Sequence, residues 1–318
     1  MTTPLLARRS QPYQCSLPEP ILAQAQRELF EVPDRRQTDI EHLRQWLCKQ
    51  PHLRTRTDDW FLINFLRGAK FSLERAKEKL ELYHSLKTHC PEMMGGGDPK
   101  DDMVAEVLRA GGFVPTPKPL PNGQRLVIIR VAARDTERVP QEVMFRVSNM
   151  ISALLAEQDE ASQVTGIVGL LDLKDATLAH AMSMTPTLVK KAVTCWDSFP
   201  VRQKGMHYFN TPTGMDPVIN LFRSFMKEKM KQRLWFHGSD QSSLHSAIPP
   251  ECLPEEYGGT LPSVNALAEE WVKRVEENRE FFLDYMKYGV DEKLRRGKAK
   301  SAADLFDIEG SFRKLEID

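Results

Sequence analysis

Basic side chains are concentrated between residues 202 and 233, where they offer charge-assisted hydrogen bonds to an anion. This segment has seven basic and two acidic residues, hence a net charge of +5, whereas the 44 basic and 44 acidic residues of the 318-residue chain cancel. Arg202 and Lys204 precede a predicted strand and point to the same side of it. Lys229 and Arg233 are four apart and share one face of a predicted helix. In isolation, such a run is most often a solvated charged surface.

Apolar side chains repeat with a helical period inside the same segment. Their spacing predicts one continuous amphipathic helix over residues 217–233, with cationic residues beside its apolar face. Periodicity alone favours ordinary core packing for such a stripe. The apolar face consists of Val218, Leu221, Phe222, Phe225, Met226 and Met230.

Motifs of enzymes and of metal sites are missing from the sequence. It contains no GxGxxG, GxxxxGK[ST], GxSxG or HExxH pattern. Asp172, at the end of an apolar run, is predicted to cap or hydrogen-bond the backbone, and Cys195 is predicted to be an inert thiol despite His207 further along the chain. We therefore expect neither a catalytic site nor a bound metal.

The composition restricts the partners and the compartment. Zero net charge gives no support for a nucleic-acid partner. No stretch approaches the ~18 apolar residues of a spanning helix, so any membrane contact is expected to be peripheral. The five cysteines are scattered without a CxxC pair, which is typical of reduced thiols in a cytosolic protein. We expect a cytoplasmic protein that associates reversibly with membranes.

The predicted elements divide the chain into four parts. Residues 1–19 are polar and are predicted to form a flexible arm, and residues 20–92 are predicted to form an all-helical domain. Between 98 and 262, helical patterns alternate with short apolar runs, which indicates an α/β domain with a mainly parallel sheet. Residues 263–318 are predicted to hold a C-terminal helix and a basic tail. The strand candidates are "RLVIIRV", "TGIVGLLDL", "GMHYF" and "RLWFHG".

Several motifs in register resemble the CRAL-TRIO lipid-transfer family, from about residue 20 to the end of the chain. They are "DDWFLINFLRGAKFSLERA" (58–76), "LAHAMSMTP" (178–186), "DSFPVRQKGMHYFN" (197–210), "FMKEKMKQRLWFHGSD" (225–240) and "IPPECLPEEYGGT" (248–260). The resemblance implies a helical N-terminal domain, then a sheet that forms the floor of a deep apolar pocket, with a mobile amphipathic gate helix as its lid. It also implies that the only bound group is a lipophilic ligand, with no further cofactor.

The resemblance assigns roles to the residues of the charged segment. Arg202, Lys204, Lys229 and Arg233 match basic positions that bind phosphoinositide headgroups in members that carry tocopherol. The apolar stripe matches the gate helix, whose apolar face roofs the ligand when the gate is closed and contacts a bilayer when it is open. The gate residues are Val218, Leu221, Phe222, Phe225 and Met226.

The resemblance also places the lipid pocket. Phe145, Ser148 and Ser152 share one helix face, and the two hydroxyls either bond a polar group of the ligand or bond back to their own helix. The other expected pocket residues are Ile167, Leu171, Met184, Phe199 and Met206. The family's acidic-Gly-aromatic stretch is replaced here by "LKDA" (173–176), so the identity of the ligand is not carried over.

The function expected from these features is non-enzymatic transfer of one hydrophobic lipid between membranes, with the ligand being tocopherol, a retinoid or a carotenoid-like molecule. Phosphoinositide-containing membranes are the expected partner. Alternatives are a protein that exchanges phospholipid or phosphatidylinositol, a lipid-regulated scaffold that uses the C-terminal helix, and an α/β enzyme that acts on a lipid.

Overall fold

The structure is a computed structural model and describes residues 5–306 of the chain. The fold is α/β, as predicted, with helices on both sides of a mainly parallel sheet. The strands are β1 (Leu53–Arg54), β2 (Phe113–Pro115), β3 (Arg125–Arg130), β4 (Ile167–Asp172), β5 (Gln203–Phe209), β6 (Leu234–Phe236) and β7 (Gly289–Val290). The helices are α1 (Leu5–Arg8), α2 (Glu19–Leu29), α3 (Arg36–Cys48), α4 (Asp59–Gly68), α5 (Leu73–His89), α6 (Pro91–Met94), α7 (Asp102–Arg109), α8 (Gln141–Gln158), α9 (Glu160–Thr165), α10 (Leu178–Met182), α11 (Pro186–Ser198), α12 (Asp216–Phe225), α13 (Glu228–Lys231), α14 (Gln241–Ala247), α15 (Val264–Glu277), α16 (Arg279–Tyr285) and α17 (Ala302–Phe306).

Within residues 5–306, the main sheet has the strand order β2-β3-β4-β5-β6. Strands β3 to β6 are parallel, and β2 pairs antiparallel with β3 at one edge. The small pair β1–β7 is antiparallel and ties the N-terminal helices to the end of the chain. The four predicted strand candidates correspond to β3, β4, β5 and β6. Strand β4 lies at the centre and is buried along most of its length, which explains its nearly continuous apolar sequence.

Local signals account for several helix starts. The carboxylate of Asp58 accepts a hydrogen bond from the backbone N–H of Phe61 at 3.1 Å, so it caps α4. Thr185 caps α11 in the same way, and Pro186 fits the first turn because its missing N–H would have no helical partner there. Ser72 precedes α5 but its side chain makes no capping bond within the described residues.

The N-terminal helices and the sheet domain share one hydrophobic core, which includes Leu43 and Phe65 from the former and Leu126 and Leu154 from the latter. The fully buried Arg67 lies at this junction, where its guanidinium bonds Glu31 at 2.9 Å and Glu160 at 3.0 Å. A charge so far from water is tolerated only when it is paired.

The prediction of a flexible arm over residues 1–19 is wrong for the part that the structure describes. Residues 5–8 form α1, and Tyr13 and Leu17 are buried. The Tyr13 hydroxyl donates to Glu160, and its backbone N–H donates to Asp59 at 3.0 Å. Buried polar partners therefore hold this segment against both halves of the molecule.

The prediction of one continuous helix over 217–233 is also wrong. Helix α12 ends at Phe225, and Met226 and Lys227 have extended backbone with ψ of 146° before the short α13 begins. A straight helix of this length would be about 25 Å long, whereas the chain must return at once so that Leu234 pairs beside Met206 in the sheet. Pairing in the sheet therefore overrides the helical period.

Two further expectations concern the C-terminal part. The helix predicted over 263–287 is interrupted at Asn278, between α15 and α16. The last part of the predicted basic tail, residues 307–318, lies outside the described residues.

Candidate functional site

Helix α12 lies over one face of the sheet. Its Ile219 is buried together with Met215, which directly precedes the helix, against Met206 and Tyr208 of β5. Leu171 of the neighbouring β4 packs against the same cluster. In a parallel sheet, paired residues face the same side, and Leu171 pairs with Tyr208. These side chains therefore form an apolar floor beneath α12.

The C-terminal part of α12 contacts α11 and α8 through a chain of aromatic rings. Phe222 stacks on Trp196 of α11 with ring centroids 5.8 Å apart, and Trp196 meets Phe145 of α8 edge-on at 6.2 Å. A predicted gate residue and a predicted pocket residue are thus joined through Trp196. Trp196 was not among the predicted site residues, although its spacing of three and seven residues from Val193 and Val189 places it on the apolar face of α11.

The expected gate residues do not all take the same position. Val218, Leu221, Phe222 and Phe225 are half-buried on α12, and Met226 is buried just beyond the end of the helix. Ile219, which the predicted stripe omits, is the buried residue within α12. The covered side of α12 therefore contains the predicted gate residues and extends to Ile219.

The expected pocket residues fall into two groups. Leu171 and Met206 belong to the floor beneath α12. The others belong to the large core or pack against it, and Ile129 of β3 contacts both groups. Members of the second group are Phe145, Ile167, Met184 and Phe199.

The two serines of α8 differ in their hydrogen bonds. The Ser148 hydroxyl donates to the carbonyl of Phe145 at 2.8 Å, so it bonds back to its own helix. The Ser152 hydroxyl is half-buried and has no hydrogen-bond partner among the described residues. Of the two hydroxyls, that of Ser152 is available to a ligand.

The basic cluster, which we define as Arg202, Lys204, Lys229 and Arg233, is brought together where β5 and β6 begin. The positive charges of Arg233, Lys70 and Arg202 lower the pKa of the exposed Lys229. Burial lowers the pKa of Lys204 too, as does the charge of Arg202. Arg233 lies beyond α13 and donates to the carbonyl of Gln203 at 3.3 Å, so the predicted helix face shared with Lys229 is wrong. These four cations meet through the sheet, not through one helix.

Two residues of the N-terminal half complete this surface, and the sequence analysis missed both. Lys70, in the left-handed turn after α4 (φ 55°), adds positive charge near Lys229. Glu28 of α2 accepts hydrogen bonds from Arg202 at 3.0 Å and from Lys204 at 3.1 Å. Both residues are far from the cluster in the sequence, so no spacing rule links them to it.

Helix α10 carries an exposed apolar pair. Leu178 and Met182 of α10 are 73% and 72% exposed, and they share a face because they are four residues apart. Ala181 of the same helix packs against the floor cluster. The helix that carries the pair is therefore fixed against the floor cluster while the pair itself is exposed to solvent.

The catalytic candidates have structural roles. Asp172 accepts hydrogen bonds from the Tyr257 hydroxyl, the Asn210 amide and the Lys174 backbone, each at 2.9 Å. Cys195 is fully buried, and contact with Cys90 together with burial raises the pKa of its thiol well above the usual value. His207 bonds His237 at 2.9 Å instead of a thiol. The reactive thiolate that a nucleophile requires is therefore disfavoured.

Other features of the described residues bear on the kind of site. All five cysteines are free thiols. Residues 5–306 contain no group of three His, Cys, Asp or Glu side chains placed to hold a metal ion. In the same range, no helix combines the length and the apolar character that crossing a bilayer requires.

Comparison with known proteins identifies the class. Residues 109–259 match the CRAL/TRIO domain, and residues 32–104 match the Pinta-like UBA domain. The chain is 36% identical to human alpha-tocopherol transfer protein-like over 250 residues, which cover 78% of this chain and 72% of that protein. The chain belongs to the CRAL/TRIO family of lipid-binding and lipid-transfer proteins.

Other relatives agree with this assignment. The chain is 31% identical to human clavesin-2 over 78% of this chain and 76% of that protein. It is 30% identical to clavesin-1 of Xenopus laevis over 74% of this chain and 71% of that protein. A solved structure, "Crystal structure of Sfh5", has a TM-score of 0.43 and 14% identity over 69% of this chain and 81% of that chain, a likeness too weak to bear on function.

Proposed function

We propose that this protein is a non-enzymatic carrier that holds one hydrophobic lipid beneath α12 and transfers it between membranes. The observation that carries the proposal is the arrangement of α12, whose apolar face covers the Leu171–Met206 floor while the basic cluster lies close by. A lid beside an anion-binding surface suits a protein that loads and unloads against a charged bilayer.

Burial energetics explain why release would require a membrane. A lipid with about 20 carbons loses roughly 16 kcal/mol of favourable burial on expulsion into water, at ~0.8 kcal/mol per methylene. The ligand would therefore stay in the protein even if α12 opened in solution. A bilayer, by contrast, replaces the apolar contacts that the ligand loses. The exposed Leu178 and Met182 offer additional apolar contact with that bilayer.

The contacts that hold α12 closed are modest in number. Burial of Ile219 contributes about 1.5–3 kcal/mol, and the Phe222–Trp196 stack adds roughly 0.5–1.5 kcal/mol. Lys227, just after the helix, pairs with Asp197 at 2.7 Å, but both side chains are exposed and such pairs contribute little. An open groove of about 510 Å³ lies beside the end of the helix, where Phe225 and Lys227 face the charged residues Lys79 and Asp197.

The basic cluster would direct docking to phosphoinositides. Four basic residues near an anionic leaflet contribute roughly 4 kcal/mol, at ~1 kcal/mol each, when Glu28 does not occupy the cluster. This is enough for reversible attachment and too little for permanent anchoring. We place the protein in the cytoplasm with transient membrane contact, since phosphoinositides face that compartment.

The polar contact proposed for the ligand is the Ser152 hydroxyl, which lacks a protein partner among the described residues. A single hydroxyl suits a lipid with one small polar group, such as a tocopherol, a retinoid or a carotenoid-like molecule. The name of the human relative, alpha-tocopherol transfer protein-like, supports the first of these.

The test has two parts. Mass spectrometry of organic extracts from the purified protein should detect one neutral lipid near equimolar amount. Transfer of that lipid from donor to acceptor vesicles should be faster when the acceptor contains a phosphatidylinositol bisphosphate. A co-purifying phospholipid would favour an exchange protein, and no lipid together with no transfer would overturn the carrier.

A further inference from the structure

An acidic side chain of the N-terminal half occupies the basic cluster. One carboxylate oxygen of Glu28 accepts hydrogen bonds from the Arg202 guanidinium at 3.0 Å and from the Lys204 ammonium at 3.1 Å. The other oxygen accepts from the Gln24 amide at 2.8 Å. A carboxylate oxygen between two cations stands where a phosphate oxygen of a headgroup would bind.

Packing fixes this carboxylate at the cluster. Helix α2 carries Glu28 and buries Ala25 and Leu29 against Val164 of α9. Arg202 donates a hydrogen bond to the carbonyl of Val164. Val164 therefore contacts both the helix that carries Glu28 and the arginine that pairs with Glu28. Glu28 is therefore presented by a rigid helix, and its side chain is still 30% exposed to solvent.

Glu28 neutralises only part of the positive charge. Lys229 is exposed, and neither Lys229 nor Arg233 forms an ion pair with a described residue. Burial alone would raise the pKa of Glu28, but hydrogen bonds from Arg202, Gln24 and Lys204 outweigh it and lower this pKa to about 2. The carboxylate is thus ionised at every physiological pH. One half of the cluster already holds an anion, and the other half is free to receive one.

We infer that Glu28 is a specificity-determining residue, a built-in competitor that sets a charge threshold for headgroup binding at the basic cluster. This inference rests on the proposed docking to phosphoinositides. A headgroup with a net charge of −1, such as that of phosphatidylserine, would replace the single charge of Glu28 at Arg202 and Lys204 with another single charge. Glu28 wins this competition because it is part of the same chain and has a high effective concentration at the cluster. A headgroup with two phosphomonoesters, each of about −1.5 to −2 charge, binds Lys229 and Arg233 and displaces Glu28 from Arg202 and Lys204.

The experiment measures binding of the full chain to phosphatidylcholine vesicles that contain either phosphatidylserine or a phosphatidylinositol bisphosphate at equal total charge. Glu28→Gln removes the charge but keeps the size of the side chain. We expect this variant to bind the phosphatidylserine vesicles about fivefold more tightly than the parent, which corresponds to ~1 kcal/mol for one charge near the leaflet. Its preference for the bisphosphate should fall by a similar factor.

Two further variants separate the local effect from net charge and from misfolding. Glu19→Gln changes the same helix and the same net charge at an exposed residue away from the cluster, and it should leave binding within about twofold of the parent. Glu28→Asp keeps the charge but withdraws the carboxylate by one methylene, so it should shift the preference in the same direction as Glu28→Gln. A circular dichroism melt confirms folding of each variant.

The outcomes are distinguishable. If the parent binds bisphosphate vesicles and both Glu28 variants keep its preference, Glu28 does not set the threshold and the inference is overturned. An equal effect of Glu19→Gln also overturns it, since net charge would then be the cause. If the parent shows no preference for bisphosphate vesicles, the proposed docking itself fails, and the inference fails with it.

Discussion

Reversal of the two unpaired cations of the basic cluster tests membrane docking most sharply. Lys229 is exposed, and neither it nor Arg233 has an ion-pair partner among the described residues, so Lys229→Glu together with Arg233→Glu should leave folding nearly unchanged. The substitutions alter the local charge by four units. At ~1 kcal/mol per charge near an anionic leaflet, affinity for phosphoinositide vesicles should fall by roughly 4 kcal/mol, about 10³-fold at low salt.

The assay compares lipid transfer between vesicles with lipid binding in detergent. Transfer to phosphoinositide acceptors should drop to the rate seen with neutral acceptors, while binding in detergent stays as in the parent. Lys273→Glu with Lys293→Glu is the matched control, because both lysines are exposed on other surfaces and give the same change in net charge. Equal losses in the control, or no loss in the double variant, would refute the reasoning.

Three further predictions follow from contacts in the structure. Ser152→Ala should weaken lipid binding by ~0.5–1.5 kcal/mol in a fluorescence titration, and Ser148→Ala should not, because its hydroxyl is already bonded to Phe145; equal effects would contradict this. Gly169→Ala places a Cβ 2.5 Å from the Met206 sulfur, so denaturation should show a loss of about 1–3 kcal/mol in the free energy of unfolding, and a much smaller loss when the same change is made in a Met206→Ala background. Equal losses in the two backgrounds would argue against this clash. Full burial and the nearby Lys87 lower the pKa of His84 from 6.5 to about 3, so the unfolded chain binds one more proton than the folded chain and stability falls as pH drops from 6.5 toward 3. His84→Phe should reduce this dependence of the free energy of unfolding on pH, measured by urea titration. An unchanged dependence would exclude His84 as its source.

Much of the sheet could be predicted from the sequence. Strands β3 and β4 are short runs rich in β-branched and leucine residues between turn signals, and the alternation of such runs with helices indicates a parallel sheet. Strand β2 was missed because it has only three residues and ends with Pro115, a composition that marks an edge and carries no period. Short edge strands are defined by their partner more than by their own sequence.

The break in the predicted lid helix is a feature that the local sequence pattern does not determine. Periodicity across 217–233 fits a single helix, but the need to place Leu234 beside Met206 forces extended backbone at Met226 and Lys227. The deeper burial of Ile219 beside the predicted face follows from the same constraint, since α12 is oriented by its contacts with the floor. Tertiary pairing decided both features.

The composition of the candidate site was predictable only in part. The basic residues near the sheet share one stretch of sequence, and the resemblance to a family supplied their expected role. Glu28 and Lys70 come from the N-terminal helices and reach the same surface only because α2 and α4 pack against α9. No spacing in the sequence encodes a contact between residues 28 and 202.

Lipid transfer as proposed requires α12 to move on a membrane, and a distance measurement can detect that movement. Spin labels at Asn220→Cys on α12 and Glu270→Cys on α15, in a background without the exposed Cys48, report the separation of the lid from a fixed helix. We expect one short distance in solution and a second, longer distance on phosphoinositide vesicles. An unchanged distance on those vesicles, under conditions in which lipid is transferred, would contradict it.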